Sequence, residues 1–191
     1  LAGNDLTNGY VLLATACDGT LATTAQFTSI RVVCNNTLAV ALNGNTHAVK
    51  VRHNTTFDPQ AVKKQLGISV SAWDDFMYRL KALSERRITR KTAEKVMQTI
   101  FTDTGYQPPG MPVKANEQAM KKAMALYDGA GRGSELASAK NTAYGLLNAV
   151  TEFVDHERRA RSTDNRLDSA WFGKGAQIKQ RALSQTLELV A

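Results

Sequence analysis

No apolar run in this 191-residue chain approaches the roughly 20 residues that a bilayer-spanning helix needs. Leu1 to Asn8 are mixed and polar, so no signal peptide is expected. The chain opens at Leu1 rather than Met, as a fragment, a processed product or the ordered part of a longer chain would. There are two cysteines, Cys17 and Cys34, and no Cys-x-x-Cys. The three histidines, His47, His53 and His156, fall at no ligand spacing, which argues against a zinc site. Both cysteines sit in apolar, strand-like runs. Buried free thiols in a reducing compartment are expected, with a disulfide between neighbouring strands as the alternative. No Ser-His-Asp or Cys-His signature stands in a recognisable context. Internal repeats and low-complexity segments are also missing.

What is present is an ordinary globular composition with a basic excess. At this length one domain is the default, two small ones are possible, and a proper core can form without staples. The net charge of +7 draws polyanions by long-range attraction, although solubility alone also explains such a charge.

Residues 9–57 read as β. Tyr10 to Cys17 is a strand candidate, and Asp18-Gly19 is a hairpin turn signal. Leu21 to Phe27 and Ile30 to Leu42 carry the Thr, Val and Ile that suit a pleated surface. Asn35-Asn36 marks a bulge, a turn or a short helix, and Asn43-Gly44-Asn45 a second turn. His47, Val49, Val51 and His53 then alternate with Ala48, Lys50 and Arg52, giving a half-buried strand with a basic outer face.

After Phe57 the period becomes helical. Asp58-Pro59 starts a short helix that stops at Gly67. A second starts near Ser71, with Trp73, Phe76, Met77, Leu80 and Leu83 on one apolar stripe. A third starts near Thr89, with Ala93, Val96, Met97 and Ile100 facing inward. Gln107 to Pro112 is a loop. A fourth helix follows from Asn116 to Gly129. One long helix is expected over Ser134–Arg161, a break at Ser162–Asn165, and a last helix over Gln177–Val190. The fold class is therefore α+β: an N-terminal antiparallel hairpin or meander packed by a C-terminal helical half. A single domain over residues 1–191 is expected, β-rich over 1–57 and helical over 58–191, with the Pro-rich loop at 107–112.

Asp128-Gly-Ala-Gly-Arg-Gly-Ser134 has the glycines of a phosphate loop, but it lacks the Gly-Lys-Ser/Thr order and follows a helix. A helix C-cap and turn is the plainer reading. Gly173-Lys174-Gly175 before a helix offers backbone N–H groups and an ammonium to one phosphate. Glu152, Asp155 and His156 share a helix region, where Glu152 with His156 reads most simply as a solvated i,i+4 pair. No catalytic residue, metal or cofactor is assigned. The basic clusters are the stronger lead. Arg86, Arg87, Arg90 and Lys91 surround a helix junction. Arg158, Arg159 and Arg161 close the long helix, where they also suit its dipole. Lys50, Arg52 and Arg31 decorate strands. Together with Lys174 these are the candidate nucleic-acid contacts. Tyr10, Phe27, Phe57, Tyr106 and Trp171 are candidates for stacking on bases.

Two long motifs carry a resemblance. Asp18 to Leu42 contains Arg31-Val-Val-Cys-Asn-Asn-Thr37. Thr142 to Lys179 contains Thr142-Ala-Tyr-Gly145, Glu152-Phe-Val-Asp-His156 and Leu167-Asp-Ser-Ala-Trp-Phe-Gly-Lys174. Together they resemble the phage/plasmid-like proteins grouped as domain of unknown function 932, which have a further N-terminal portion. The layout is similar, without a shared motif, to the single-strand annealing proteins of phages. The basic charge and clusters, together with the mobile-element habitat that the resemblance implies, lead to the expectation of a non-enzymatic, homo-oligomeric nucleic-acid-binding protein that favours single-stranded DNA in recombination. That habitat also implies a bacterial host cytoplasm, and no membrane partner is expected. A nucleotide- or nucleic-acid-processing enzyme, or a protein-binding counter-defence or assembly factor, are the alternatives.

Overall fold

The β-branched and threonine-rich N-terminal stretch folds as four antiparallel strands in the computed structural model, which describes residues 1, 4–19, 21–39, 48–67, 70–102 and 115–191. Strand β1 (Thr7–Ala14) pairs along its whole length with β2 (Thr23–Arg31), from Thr7 opposite Arg31 to Ala14 opposite Thr24. The other edge of β2 is shared. Strand β3 (Asn36–Ala39) takes its C-terminal half and β4 (Val49–Val51) its N-terminal half. The Asp18-Gly19 signal is borne out. Gly19 sits at φ 77° and donates its N–H to the Ala16 carbonyl oxygen.

The expected strand from Ile30 to Leu42 is divided. The Asn35 N–H donates to the Arg31 carbonyl oxygen at 2.8 Å, closing a turn over Val32–Asn35. Asn35 holds φ 55°, a left-handed conformation that Asn tolerates better than most residues. Val49 is buried, Lys50 exposed and Val51 half-buried, so the alternation expected for β4 holds across these three residues. Asn43-Gly44-Asn45, His47, Tyr106 and Gln107–Pro112 lie outside the described residues.

Capping chemistry sets most helix starts. Asp58 accepts from the N–H groups of Gln60 and Ala61, Pro59 takes the first position, and Gly67 at φ 63° ends α1 (Pro59–Leu66). Helix α2 is Val70–Glu85. The Thr89 hydroxyl accepts from the Thr92 N–H to open α3 (Arg90–Phe101). Asn116 does the same through Ala119 for α4 (Glu117–Ala125), which runs into a π-helical turn, Leu126–Ala130.

The long helix expected over Ser134–Arg161 is corrected. Residues 131–142 form turns, with Gly133 at φ 68° and Asn141 at φ 56°. Helix α5 (Ala143–Glu152) begins only where the Thr142 hydroxyl accepts from the Gly145 N–H. A π-helical turn, Phe153–Glu157, follows, and Arg158 is already extended. The Ser162–Asn165 segment is a start rather than a break. The Ser162 hydroxyl accepts from the Asn165 N–H and caps α6 (Thr163–Trp171), a helix not expected from the sequence. Helix α7 is Lys174–Leu187, which begins three residues before the expected Gln177.

All ten residues of α5 are buried, and the core forms around it. Phe76, Leu80 and Leu83 of α2, Met97 and Ile100 of α3, and Ala182 of α7 pack there with Phe27 and Leu38 of the sheet. The stripe expected on α2 is thus core, with Trp73 and Met77 half-buried at its margin. A fully buried leucine such as Leu83 contributes roughly 1.5–3 kcal/mol. The close approach at Gly145 admits no side chain, because a Cβ there would lie 1.9 Å from the Ala139 carbonyl oxygen.

Tyr127 is buried in this core, and its hydroxyl has no hydrogen-bond partner among the described residues. Burial, with Asp128 nearby, pushes it up from 10.0 to about 12. The folded state therefore holds the phenol neutral more strongly than the unfolded chain does. Its stabilising share is complete below pH 10 and is lost as pH rises toward about 12. Tyr127→Phe is expected to leave stability at neutral pH unchanged or slightly raised, since an unpaired buried hydroxyl is removed. In urea unfolding followed over alkaline pH, the variant should lose less stability than the parent across that window.

Candidate functional site

Arg31 does not decorate the surface; its guanidinium is 3% exposed, which corrects its reading as a nucleic-acid contact. Its Nε and one terminal nitrogen donate to the two Asp5 carboxylate oxygens, each at 2.8 Å. Its terminal nitrogens also reach the carbonyl oxygens of Arg132 at 3.4 Å and Gly133 at 3.1 Å. The Tyr144 ring lies 5.3 Å beneath. Burial opposes the charge, but the Asp5 hydrogen bonds and field outweigh it and push the guanidinium up, so it stays protonated.

This arrangement also accounts for the glycine-rich loop Asp128–Ser134. The Arg132 N–H donates to both Glu152 carboxylate oxygens at 3.1 Å. Those of Gly131 and Ser134 donate to Leu126 and Gly131 carbonyl oxygens. The loop turns two carbonyls to a buried cation, and its Arg132, Gly131 and Ser134 N–H groups are taken up by acceptors within the fold rather than offered to a phosphate.

The two motifs meet in a second buried cluster. Asn36 donates from its side chain to the Asn148 carbonyl oxygen at 3.1 Å. The Thr37 N–H and hydroxyl donate to one Asp155 oxygen at 2.7 and 2.9 Å. Lys179, 2% exposed, donates to the other Asp155 oxygen and to the Thr37 hydroxyl, both at 2.8 Å, and lies 5.5 Å from the Trp171 ring centre. Burial pulls the Lys179 ammonium down, and Asp155 works against that. His156 donates from Nε2 to the Cys34 carbonyl oxygen at 3.0 Å, since a carbonyl only accepts.

Glu152, Asp155 and His156 are therefore held in three separate contacts, and Glu152 and His156 are not the solvated pair expected. Among the described residues no group of three His, Cys, Asp or Glu is placed to hold a metal. Cys34 is a buried free thiol as expected, pushed up by burial. Cys17 is free but exposed, against expectation.

Three of the predicted cations come together elsewhere. Arg158, Arg159 and Lys174 line a cleft of about 990 Å³ with Lys122 and Arg181. Its walls are the C-terminal end of α3, the first turns of α4, the end of the π-helical turn Phe153–Glu157, and the first turns of α7. Phe101, Phe153 and Ile178 form an apolar floor, with Phe101 edge-on to Phe153 at 5.5 Å. Glu157 is the one carboxylate among the described lining residues.

Arg158 donates to the Ser169 hydroxyl at 2.5 Å, which fixes its position. Arg181 donates to the carbonyl oxygens of Ile100 and Thr102 at 2.8 and 2.7 Å, tying α7 to the end of α3. Lys122, Arg159 and Lys174 are exposed. Sequence reasoning missed Lys122 and Arg181. The available signal was the spacing of Lys174, Ile178 and Arg181 on one face of α7.

The other predicted cations do not line this cleft. Lys50 and Arg52 are exposed at β4, and Arg161 is exposed ahead of α6. Arg86, Arg87, Arg90 and Lys91 are exposed at the α2–α3 junction. Arg87 there donates to the Lys140 carbonyl oxygen. Arg90 is paired with Asp128 and Glu94, and Asp128 chiefly pushes its guanidinium up. Of the aromatics, Phe27 is buried edge-on to Trp73, Trp171 is half-buried, and Tyr10 and Phe57 are exposed.

A family profile described as domain of unknown function (DUF932) matches residues 1–171, and the chain belongs to that family. No curated protein and no solved structure matches it.

The two kinds of arginine should separate by stability. Arg31→Ala leaves Asp5 buried and unpaired, so equilibrium unfolding in urea should show a loss of about 3–5 kcal/mol. Arg90→Ala removes only exposed pairs and should leave the unfolding curve close to that of the parent. Equal effects would contradict the assignment of Arg31 as the buried anchor.

Proposed function

We propose that the protein binds single-stranded nucleic acid, DNA for preference, without catalysing a reaction, and that it acts as a homo-oligomer. The observation that carries this reading is the cleft, where Lys122, Arg158, Arg159, Lys174 and Arg181 face one carboxylate over an apolar floor. Such a surface attracts phosphates and releases their counterions, a driving force that does not depend on base sequence. Phe101 and Phe153 are 6% and 5% exposed, so they offer bases little stacking surface and phosphate contacts dominate. The cleft is of small-molecule size, which suits a few nucleotides of a flexible strand better than a rigid duplex. Recombination or annealing in a phage or plasmid, within a bacterial cytoplasm, fits this reading.

The enzymatic alternative is weakened because Glu152, Asp155, His156 and the glycine-rich loop are held in contacts within the fold. The protein-contact alternative draws on apolar side chains exposed along β1.

Fluorescence anisotropy with a labelled single strand and its duplex, over a salt series, tests the proposal. Log K should fall linearly against log salt, with a slope of about −0.7 for each phosphate contact made. Lys122→Glu and Arg159→Glu should each weaken binding and flatten the slope, while Arg52→Glu should change little. No binding at low salt, or equal loss from Arg52→Glu, would overturn the cleft as the nucleic-acid site.

A further inference from the structure

We propose that β1 is the edge along which two copies of this chain pair, antiparallel and about a twofold axis, so that the sheet continues from one subunit into the other. This goes beyond the nucleic-acid reading and does not depend on which polymer the cleft takes.

Among the described residues β1 is paired on one side alone, with β2. An open edge of this kind is normally blunted by charge, by proline, by a bulge or by brevity. Strand β1 has none of these. It is eight residues long and keeps an uninterrupted register against β2. From Leu6 to Cys17 there is no charged residue and no proline, in a chain with 24 Lys and Arg and 17 Asp and Glu.

Its apolar side chains are open on both faces. Val11 and Leu13, 53% and 57% exposed, stand on one face, and Tyr10, 48% exposed, stands on the other. A partner lying on one face of the sheet would cover one row only. A strand added in the plane of the sheet meets both rows at once, through cross-strand pairs.

A second copy fits that edge on charge. Each molecule carries +7, so most faces of two copies repel. The neutral span from Leu6 to Cys17 lets two backbones meet at hydrogen-bonding distance without like charges between them. Antiparallel pairing also makes the contact self-complementary, as a twofold interface requires. Eight paired residues extend about 27 Å at 3.4 Å per residue. Three half-exposed side chains offer on the order of 300 Å² of apolar surface per copy, which places the contact among weak, concentration-dependent dimers below about 1,200 Å² in total. The basic cleft is built from α3, α4, α7 and the turn before Arg158, so pairing at β1 leaves it open.

Sedimentation velocity over a concentration series, at moderate salt, under reducing conditions and without oligonucleotide, tests the proposal. A dimer fraction that rises with concentration is expected. Val11→Lys with Leu13→Lys should abolish it, and Val32→Lys with Val33→Lys on the exposed β2–β3 turn should not. Hydrogen exchange on the unaltered protein gives a readout independent of any variant. Amides of β1 should slow as the dimer forms, while those of β4 stay the same. A monomer at the highest soluble concentration would overturn the proposal. So would a dimer that the turn variant alone dissociates, or unchanged exchange in β1. Antiparallel pairing sets the two Cys17 residues at opposite ends, so a dimer seen only without reductant, as a Cys17 disulfide, would also overturn it. None of these outcomes bears on binding in the cleft, which the salt-dependent anisotropy reads separately.

Discussion

A bidentate ion pair, Arg31 with Asp5, sits where the sheet meets the helical half, with side chains 3% and 0% exposed. A pair this deep is a constraint before it is a source of stability, because either charge alone would be intolerable there. Arg31 stands at the end of β2, Asp5 just ahead of β1, and neither can shift without the other. The remaining donors of the guanidinium fix the carbonyls of Arg132 and Gly133, and the Ser138 hydroxyl takes the remaining reach of Asp5. The glycine-rich loop thereby acquires its shape. Gly133 is left-handed, and a side chain there would meet Val33 and Arg31. The second pair, Lys179 with Asp155, repeats the arrangement between α7 and the π-helical turn, with Thr37 of β3 bonded to both.

Both family motifs therefore describe an internal polar framework. Arg31, Asn36 and Thr37 come from one, and Tyr144, Asn148 and Asp155 from the other. The surface charge is sorted separately. Among the described residues Arg31 cancels Asp5 and Lys179 cancels Asp155, while buried Glu152 adds a further negative charge, so the framework carries none of the positive excess. In the cleft Lys122, Arg158, Arg159, Lys174 and Arg181 gather part of it around one concave site.

Local chemistry was legible. Asp58 was readable as a helix cap, Thr89 and Asn116 as helix starts, Asp18-Gly19 as a hairpin turn, and Phe76, Leu80 and Leu83 as core, since each depends on neighbours within a few residues. The misreadings have a common cause. Helix α6 is short and polar, with Leu167 left 51% exposed, so no apolar stripe announces it. Residues 134–140 have helix-forming composition, yet Gly133 and Asn141 on either side are left-handed, the Gly133 carbonyl is held by Arg31, and Ala139 lies against Gly145. Arg31 looked like a surface cation because its partner lies 26 positions away. Arg158, Arg159 and Lys174 of the cleft were visible as basic clusters. The remaining two cations, Lys122 and Arg181, required knowing that α4 and α7 converge on the end of α3.

The reach of the buried framework bears on how the chain is made. Asp5 and Arg31 leave the ribosome early and can meet each other, but Ser138 lies 133 positions beyond Asp5, and Lys179 lies 142 beyond Thr37. Until those residues are synthesised, the nascent sheet holds a carboxylate and a guanidinium in half-built surroundings and exposes the apolar rows of β1. Contacts at such separations carry a large closure entropy and tend to form late. The strands are therefore synthesised before the helical half but completed only with it, and during that interval the chain depends most on being shielded from its neighbours.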